Sequence, residues 1–194
     1  MKVFRSNILI LLFIVELSLQ IDTPCKNNYY QKLTLDSLEK LKSYSQFTSF
    51  SSINIHSAGL TSMPDFMFAN YCINTLELSN NKIENILEHA LSSLYNCSQL
   101  YLTNNNLKSL SNLLSSLDSS NITYLDARYN KIKTIDFHFP STLTFINIDN
   151  NAIESIEENS FQNLTKLEIL SLRRNQIRTI HDASFIGLYN LLNI

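Results

Sequence analysis

The sequence predicts an α/β solenoid: a coil of chain with a parallel β-sheet along one side and irregular or short helical segments along the other. Three observations carry that expectation. One pattern returns six times at a period near 24 residues. Within each copy apolar residues alternate with period two, as in a strand that buries one face. One position after the strand is asparagine in five of the six copies.

The pattern reads apolar-x-x-apolar-x-apolar-x-x-Asn-x-apolar-x-x-apolar. Its copies begin at Phe50, Ile73, Cys97, Ile122, Leu143 and Leu167, and a seventh starts at Leu191 and stops at Ile194. The start-to-start spacings are 23, 24, 25, 21, 24 and 24 residues. In each copy the fourth and sixth positions, such as Leu76 and Leu78, form the buried face of a short strand. The asparagine then leaves the strand. Its carboxamide carries both donor and acceptor groups. Stacked at successive turns, Asn81, Asn105, Asn130, Asn151 and Asn175 form a structural column that satisfies backbone groups a turning chain would otherwise bury unpaired. Ala58 replaces the asparagine in the first copy, where one side faces a cap. The next two apolar positions, for example Ile83 and Ile86, fold back into the core.

The convex half carries apolar pairs three residues apart: Phe68 and Tyr71, Leu91 and Leu94, Phe161 and Leu164, Phe185 and Leu188. That spacing suits a short helical or irregular turn. The copies starting at Cys97 and Ile122 depart from it, so their outer loops are expected to differ in shape. A single repeat cannot bury its own apolar face, whereas stacked neighbours can. Caps are therefore required. At the N-terminal end Asp36 and Glu39 make a capping-box-like pair, and Leu35, Leu38 and Leu41 give an apolar stripe, which predicts a short helix near 37 to 45. At the other end the chain stops inside a strand motif, so the expectation is a fragment with its C-terminal cap missing.

This pattern resembles the leucine-rich-repeat family in its typical extracellular form, as found in Toll-like receptors, Slit proteins and small matrix proteoglycans. The resemblance covers residues 50 to 194 and rests on six registered copies. It implies a right-handed horseshoe, with the parallel sheet on its concave side and the irregular or short helical segments on its convex side, that binds a partner through the concave sheet and is not an enzyme. Family N-terminal caps usually hold several clustered cysteines; only Cys25 lies in this one, so a disulfide-knotted cap of the usual kind is not expected.

Composition narrows the function classes. Only 16% of residues are charged and the formal net charge is −2; without Lys2, Arg5 and Glu16 of the leader it is −3. A mildly acidic chain lacks the basic footprint of a nucleic-acid or anionic-membrane binder. Gly59 and Gly187 are the only glycines, too few for a phosphate-cradling loop. No cofactor is expected. Lys2 and Arg5 followed by the apolar run Ile8 to Val15 read as a secretory signal peptide over 1–20, cleaved near Ser18 to Gln20. That run falls far short of the roughly 20 residues that span a bilayer, and no later segment is apolar enough to span one. The division expected is therefore 1–20 signal peptide, 21–49 cap and 50–194 repeats. Sequons at Asn96, Asn121 and Asn163 predict glycosylation of a secreted surface.

Odd positions of each strand should face the concavity. Tyr101, Tyr124, Phe145 and Ile169 are expected to form one path across four neighbouring strands, roughly 15 Å long at about 4.8 Å per strand. Two readings stand: a binding hot spot, or rings that merely pair across strands. A second feature is the ladder Arg128, Asp149 and Arg173, flanked by Asp126 and Arg174. Its alternating signs on adjacent strands suggest mutual pairing, or a polar rim that orients a partner. The cysteines Cys25, Cys72 and Cys97 leave two pairings open, Cys72 with Cys97 and Cys25 with Cys72. The four histidines lie in different repeats without the convergence a metal needs. His181, Asp182 and Ser184 imitate a triad but lack an oxyanion hole. The function expected is extracellular recognition of a protein ligand, including a glycan-bearing one, by part of a larger receptor or secreted protein; the alternative is a structural matrix or adhesion protein.

Overall fold

The computed structural model describes residues 32–37, 40–41, 49–68, 71–87, 89–92, 94, 96–115, 117, 121–135 and 138–194. The expected signal peptide and Cys25 lie outside these. So does most of the expected cap helix, of which only 40–41 form a short 3₁₀ turn; Asp36 there pairs with Lys40.

Seven strands make one sheet: β1 (Lys32–Thr34), β2 (Ser49–Asn54), β4 (Cys72–Glu77), β6 (Gln99–Tyr101), β7 (Tyr124–Asp126), β8 (Phe145–Asn147) and β10 (Ile169–Ser171), in that order and all parallel. The register follows the repeat: Leu33, Ile53, Leu76, Leu100, Leu125, Ile146 and Leu170 align across the sheet. All seven are buried and point into one continuous core. Ile55, Leu78, Leu102, Ala127 and Ile148 make the next buried row, and Ile83, Leu107, Ile132 and Ile153 the row beyond the turn. Each fully buried aliphatic side chain contributes about 1.5–3 kcal/mol, and the sum over repeats is what holds the coil closed.

On the convex side β3 (Ser62–Met63) pairs with β5 (Asn85–Ile86), and β9 (Ser155–Ile156) with β11 (Thr179–Ile180). The copy starting at Cys97 carries instead the helix α1 (Ser111–Ser115), which buries Leu113 and Leu114. The copy starting at Ile122 supplies Phe139, whose ring stacks on Phe161 at 5.7 Å, and Phe161 stacks in turn on Phe185 at 5.7 Å. Ser184 is fully buried, and its hydroxyl donates to the carbonyls of Ile156 and Glu157, both at 3.0 Å. It is a tether between turns.

The sheet begins earlier than the repeat. Lys32–Thr34, within the segment expected to be cap alone, pairs with β2 and extends the sheet by one strand. Its signal is the pair Leu33 and Leu35, the same alternation without an asparagine to mark the turn. The cysteine pairing is also decided in part. Cys97 is a free, buried thiol, pushed up to about 12 by desolvation. Cys72 is disulfide-bonded, so the Cys72–Cys97 alternative falls; the partner of Cys72 lies outside the described residues.

The turn after each strand is built from one repeating set of hydrogen bonds. Asn105 accepts the Ile83 N–H at 3.0 Å through Oδ1, and its Nδ2 donates to the carbonyls of Leu78 (3.0 Å) and Leu102 (3.1 Å). Asn130 accepts from Leu107 and donates to Leu102 and Ala127. Asn151 accepts from Ile132 and donates to Ala127 and Ile148; Asn175 accepts from Ile153 and donates to Ile148 and Leu172. Asn81 accepts two N–H groups, from Ala58 and Leu60, and donates to Ile55 and Leu78. Each shared carbonyl thus takes a donor from its own repeat and one from the next.

The residue before each column position is left-handed. Ser57, Asn80, Asn104, Tyr129, Asn150 and Arg174 have φ between 53° and 56°. Asparagine tolerates that region; bulkier side chains pay a steric penalty of about 1–2 kcal/mol there.

Two stability predictions follow from the turn. Asn105→Ala orphans the buried Ile83 N–H, and should lower unfolding free energy by about 2–4 kcal/mol in urea titration. Asn105→Asp, which keeps an acceptor but loses both donors, should not rescue it; a neutral outcome for either variant contradicts the assignment. Tyr129→Asn, at an exposed left-handed position, should raise stability by about 0.5–1 kcal/mol.

Candidate interface on the concave sheet

The odd-numbered strand positions leave the sheet on its concave side. Tyr101 stands opposite Asp126 in register, and Tyr124 opposite Phe145, which stands opposite Ile169. The rings of Tyr124 and Phe145 lie 4.2 Å apart and 4° from parallel, and Tyr101 leans on Tyr124 at 5.1 Å and 39°. All four side chains are partly exposed. The structure therefore assembles Tyr101, Tyr124, Phe145 and Ile169 in adjacent places. Offset and tilted aromatic contacts of this kind are worth about 0.5–1.5 kcal/mol each. Burial first, then the carboxylates of Glu77 and Asp126, pushes the Tyr101 phenol above its ordinary value. Burial and then Asp126 do the same for Tyr124. Both phenols are protonated donors at neutral pH.

The charged ladder is arranged differently from the cross-strand pairing expected. Arg128 pairs with Asp126 of its own repeat: Nε reaches Oδ1 at 2.9 Å and Nη2 reaches Oδ2 at 2.7 Å. Asp126 also accepts the Arg128 backbone N–H. Its carboxylate is 2% exposed while the Arg128 side chain is 41% exposed, so the acid is an internal anchor and the guanidinium covers it. Asp149 forms no ion pair with Arg173 among the described residues. It accepts the Arg173 backbone N–H at 2.6 Å and the Ser171 hydroxyl at 2.7 Å. Arg173 itself is exposed.

A second ladder explains this. After the fifth position the strand ends, and the N–H of the seventh residue turns away from its neighbour strand. Asn54 caps His56 N–H, Glu77 caps Ser79 N–H, Asp126 caps Arg128 N–H and Asn147 caps Asp149 N–H, each two residues on. Where the fifth residue is Ser171, Asp149 reaches across to do the same work. Polar side chains that look free for a ligand are thus partly engaged by the backbone. The recurrence of Asn, Glu or Asp at the fifth position was the available signal.

Beside the aromatic stack an open trough of about 410 Å³ is lined by Asn54, Glu77, Tyr101, Tyr124 and Arg128 among others. The sequon residues Asn96, Asn121 and Asn163 are exposed. Asn96 and Asn121 each immediately precede the first position of a copy, and none of the three lines the trough. Among the described residues no group of His, Cys, Asp and Glu could hold a metal, and no helix is long and apolar enough to cross a membrane.

Removing either member of the Asp126–Arg128 pair should cost about 1–3 kcal/mol, reduced from a fully buried pair by the exposure of Arg128. A double-mutant cycle with Asp126→Ala and Arg128→Ala, read by denaturant unfolding, should show positive coupling; strict additivity would mean that the fork carries no energy.

Comparison with known proteins places this geometry. The profile of the BspA type leucine rich repeat region (6 copies) matches residues 25–138, and that of the leucine rich repeat matches 141–194. The chain is 37% identical to podocan of Mus musculus over 124 residues, covering 60% of this chain and 20% of podocan. It is 34% identical to lumican of Gallus gallus over 124 residues (63% and 34%), and 30% identical to oligodendrocyte-myelin glycoprotein of Homo sapiens over 148 residues (63% and 32%). The chain thus spans about a fifth to a third of these curated relatives. Among solved structures, the TLR13–ssRNA13 complex matches with a TM-score of 0.56 at 20% identity, over 80% of this chain and 26% of that one. A chain of the octameric complex of Latrophilin 3, Unc5D and FLRT2 (LRR) matches with 0.55 at 20% identity, over 84% and 50%. These structures share the fold. With a family profile covering more than half of its residues, the chain belongs to the leucine-rich-repeat family.

Proposed function

We propose that this chain is an extracellular recognition module that binds a protein partner through its concave sheet. The observation that carries the reading is the partly exposed Tyr101–Tyr124–Phe145 stack, continued by Ile169. It lies on a face whose carboxylates are largely engaged by the protein itself. Exposed aromatic clusters ringed by polar groups are the usual anchors of interfaces. Asp126, Arg128, Asp149 and Arg173 then act as a rim: Arg128 and Arg173 offer donors, while the two acids hold the local backbone. Kinship with matrix proteoglycans and extracellular receptor domains supports an extracellular location.

N-glycans at Asn96, Asn121 and Asn163 belong to the same proposal. The similarity to podocan and lumican favours a second reading, a structural matrix or adhesion protein whose repeats pack against fibrous partners. Both readings use the same surface, and they differ in whether the partner is a soluble ligand or a fibre.

The test is a pair of substitutions. Tyr124→Ala with Phe145→Ala should weaken capture of an extracellular protein by the immobilised chain at least 30-fold, the equivalent of about 2 kcal/mol for hot-spot residues. Losing two ring contacts should lower the melting temperature by several degrees while the variant stays folded. Unchanged affinity in a folded double variant removes the stack from the interface.

A further inference from the structure

The fifth strand position runs Asn54, Glu77, Tyr101, Asp126 across neighbouring strands, so the Tyr101 ring stands between two carboxylates. These two acids are not equivalent. Asp126 is neutralised by the bidentate guanidinium of Arg128. Glu77 makes no ion pair among the described residues; one of its oxygens accepts the Ser79 N–H at 2.9 Å, which leaves the other oxygen without a hydrogen-bond partner among the described residues and on the wall of the trough. Tyr101 leans on Tyr124 on its β7 side, and its β4 side belongs to Glu77. Arg128, the trough's one permanently charged cation, is spent on Asp126. Beside His56, whose Nδ1 lies 2.6 Å from the Asn54 carboxamide oxygen, the trough's carboxylates and guanidinium leave one uncompensated negative charge, at Glu77, next to an aromatic ring.

We propose that this trough seats a basic side chain of the partner, a lysine or an arginine, with its cation between the Glu77 carboxylate and the Tyr101 ring. The inference rests on the concave face being the binding surface and adds the chemistry of what enters it. A carboxylate attracts the cation directly, and the ring adds the attraction of its negative face. The trough is open, so a flexible side chain can enter from solvent without rearranging the sheet. Burial raises the Tyr101 phenol most, and the negative charge of Glu77 adds to it. An acidic or neutral side chain gains neither attraction.

The experiment uses the full chain and short capped peptides with one central arginine or lysine, matched against peptides with neutral citrulline or norleucine in the same place. The readout is the ring-proton NMR signals of Tyr101 and Tyr124. The cationic peptides should shift them in a saturable way, with at least threefold larger amplitude than the neutral ones at equal concentration. Glu77→Gln keeps an oxygen for the Ser79 N–H and should reduce the cation-dependent shift at least threefold. Raising the salt with the unaltered protein should reduce it as well. Equal shifts from charged and neutral peptides, no loss in the Gln variant, or salt-insensitive shifts would each overturn the cation seat. If the seat fails while Tyr124→Ala with Phe145→Ala still loses partner capture, the concave interface stands without it. If that double variant also binds normally, both readings fall together.

Discussion

Every turn of this chain must bend its backbone out of the sheet inside an apolar core, and the amide column is what makes that bend affordable. A buried N–H or carbonyl without a partner costs about 1–3 kcal/mol, and each turn with an asparagine presents at least one N–H and two carbonyls to it. A carboxamide can serve all three. Because Leu78, Leu102, Ala127 and Ile148 each accept from two successive asparagines, adjacent turns are bonded as well as packed. The bend of one repeat is incomplete without its neighbour, which is the cooperativity expected of a linear repeat protein. The left-handed residue before each amide is part of the same constraint, since it aims the carboxamide back at the strand it has just left.

That constraint shapes the concave face. Where the strand ends, the seventh-position N–H also needs an acceptor, and the fifth-position side chain supplies it in four copies. Polar residues there are recruited by the fold before any partner arrives. The face consequently offers less free charge than its composition suggests, and its distinct surface feature is aromatic. Rigid strands hold the rings in place, so little conformational entropy is lost when something covers them.

How legible this was depends on how periodic the cause is. The strand rows and the amide column repeat at a fixed spacing, so Leu76, Leu78 and Asn81 could be read directly as strand, core and turn. Lys32–Thr34 has the alternation but no asparagine after it, so its membership of the sheet was hidden. The left-handed position is asparagine at 80, 104 and 150 but serine, tyrosine and arginine at 57, 129 and 174, and tolerance of one conformation by unlike residues leaves a weak pattern. Charge gave the least reliable reading. Alternating signs on adjacent strands suggested partners across the sheet, whereas Arg128, just past the end of β7, found Asp126 two residues back in its own repeat. Phe139 went unread because the short copy places it off the convex spacing, yet space returns it to the stack with Phe161.

The aromatic stack can be weighed against what the sheet needs. Cross-strand pairs contribute about 0.2–1 kcal/mol each to a sheet, and threonine or valine at Tyr124 and Phe145 would serve strand preference while exposing less apolar surface. The core is already complete beneath them, since Leu125 and Ile146 are fully buried. The neighbouring strands show the cheaper solution at the same register position, where Ser52 and Thr75 precede Gln99. Rings at Tyr124 and Phe145 therefore add apolar area to solvent that strand formation does not require. An interface recovers that cost, because covering the rings converts exposed area into binding energy.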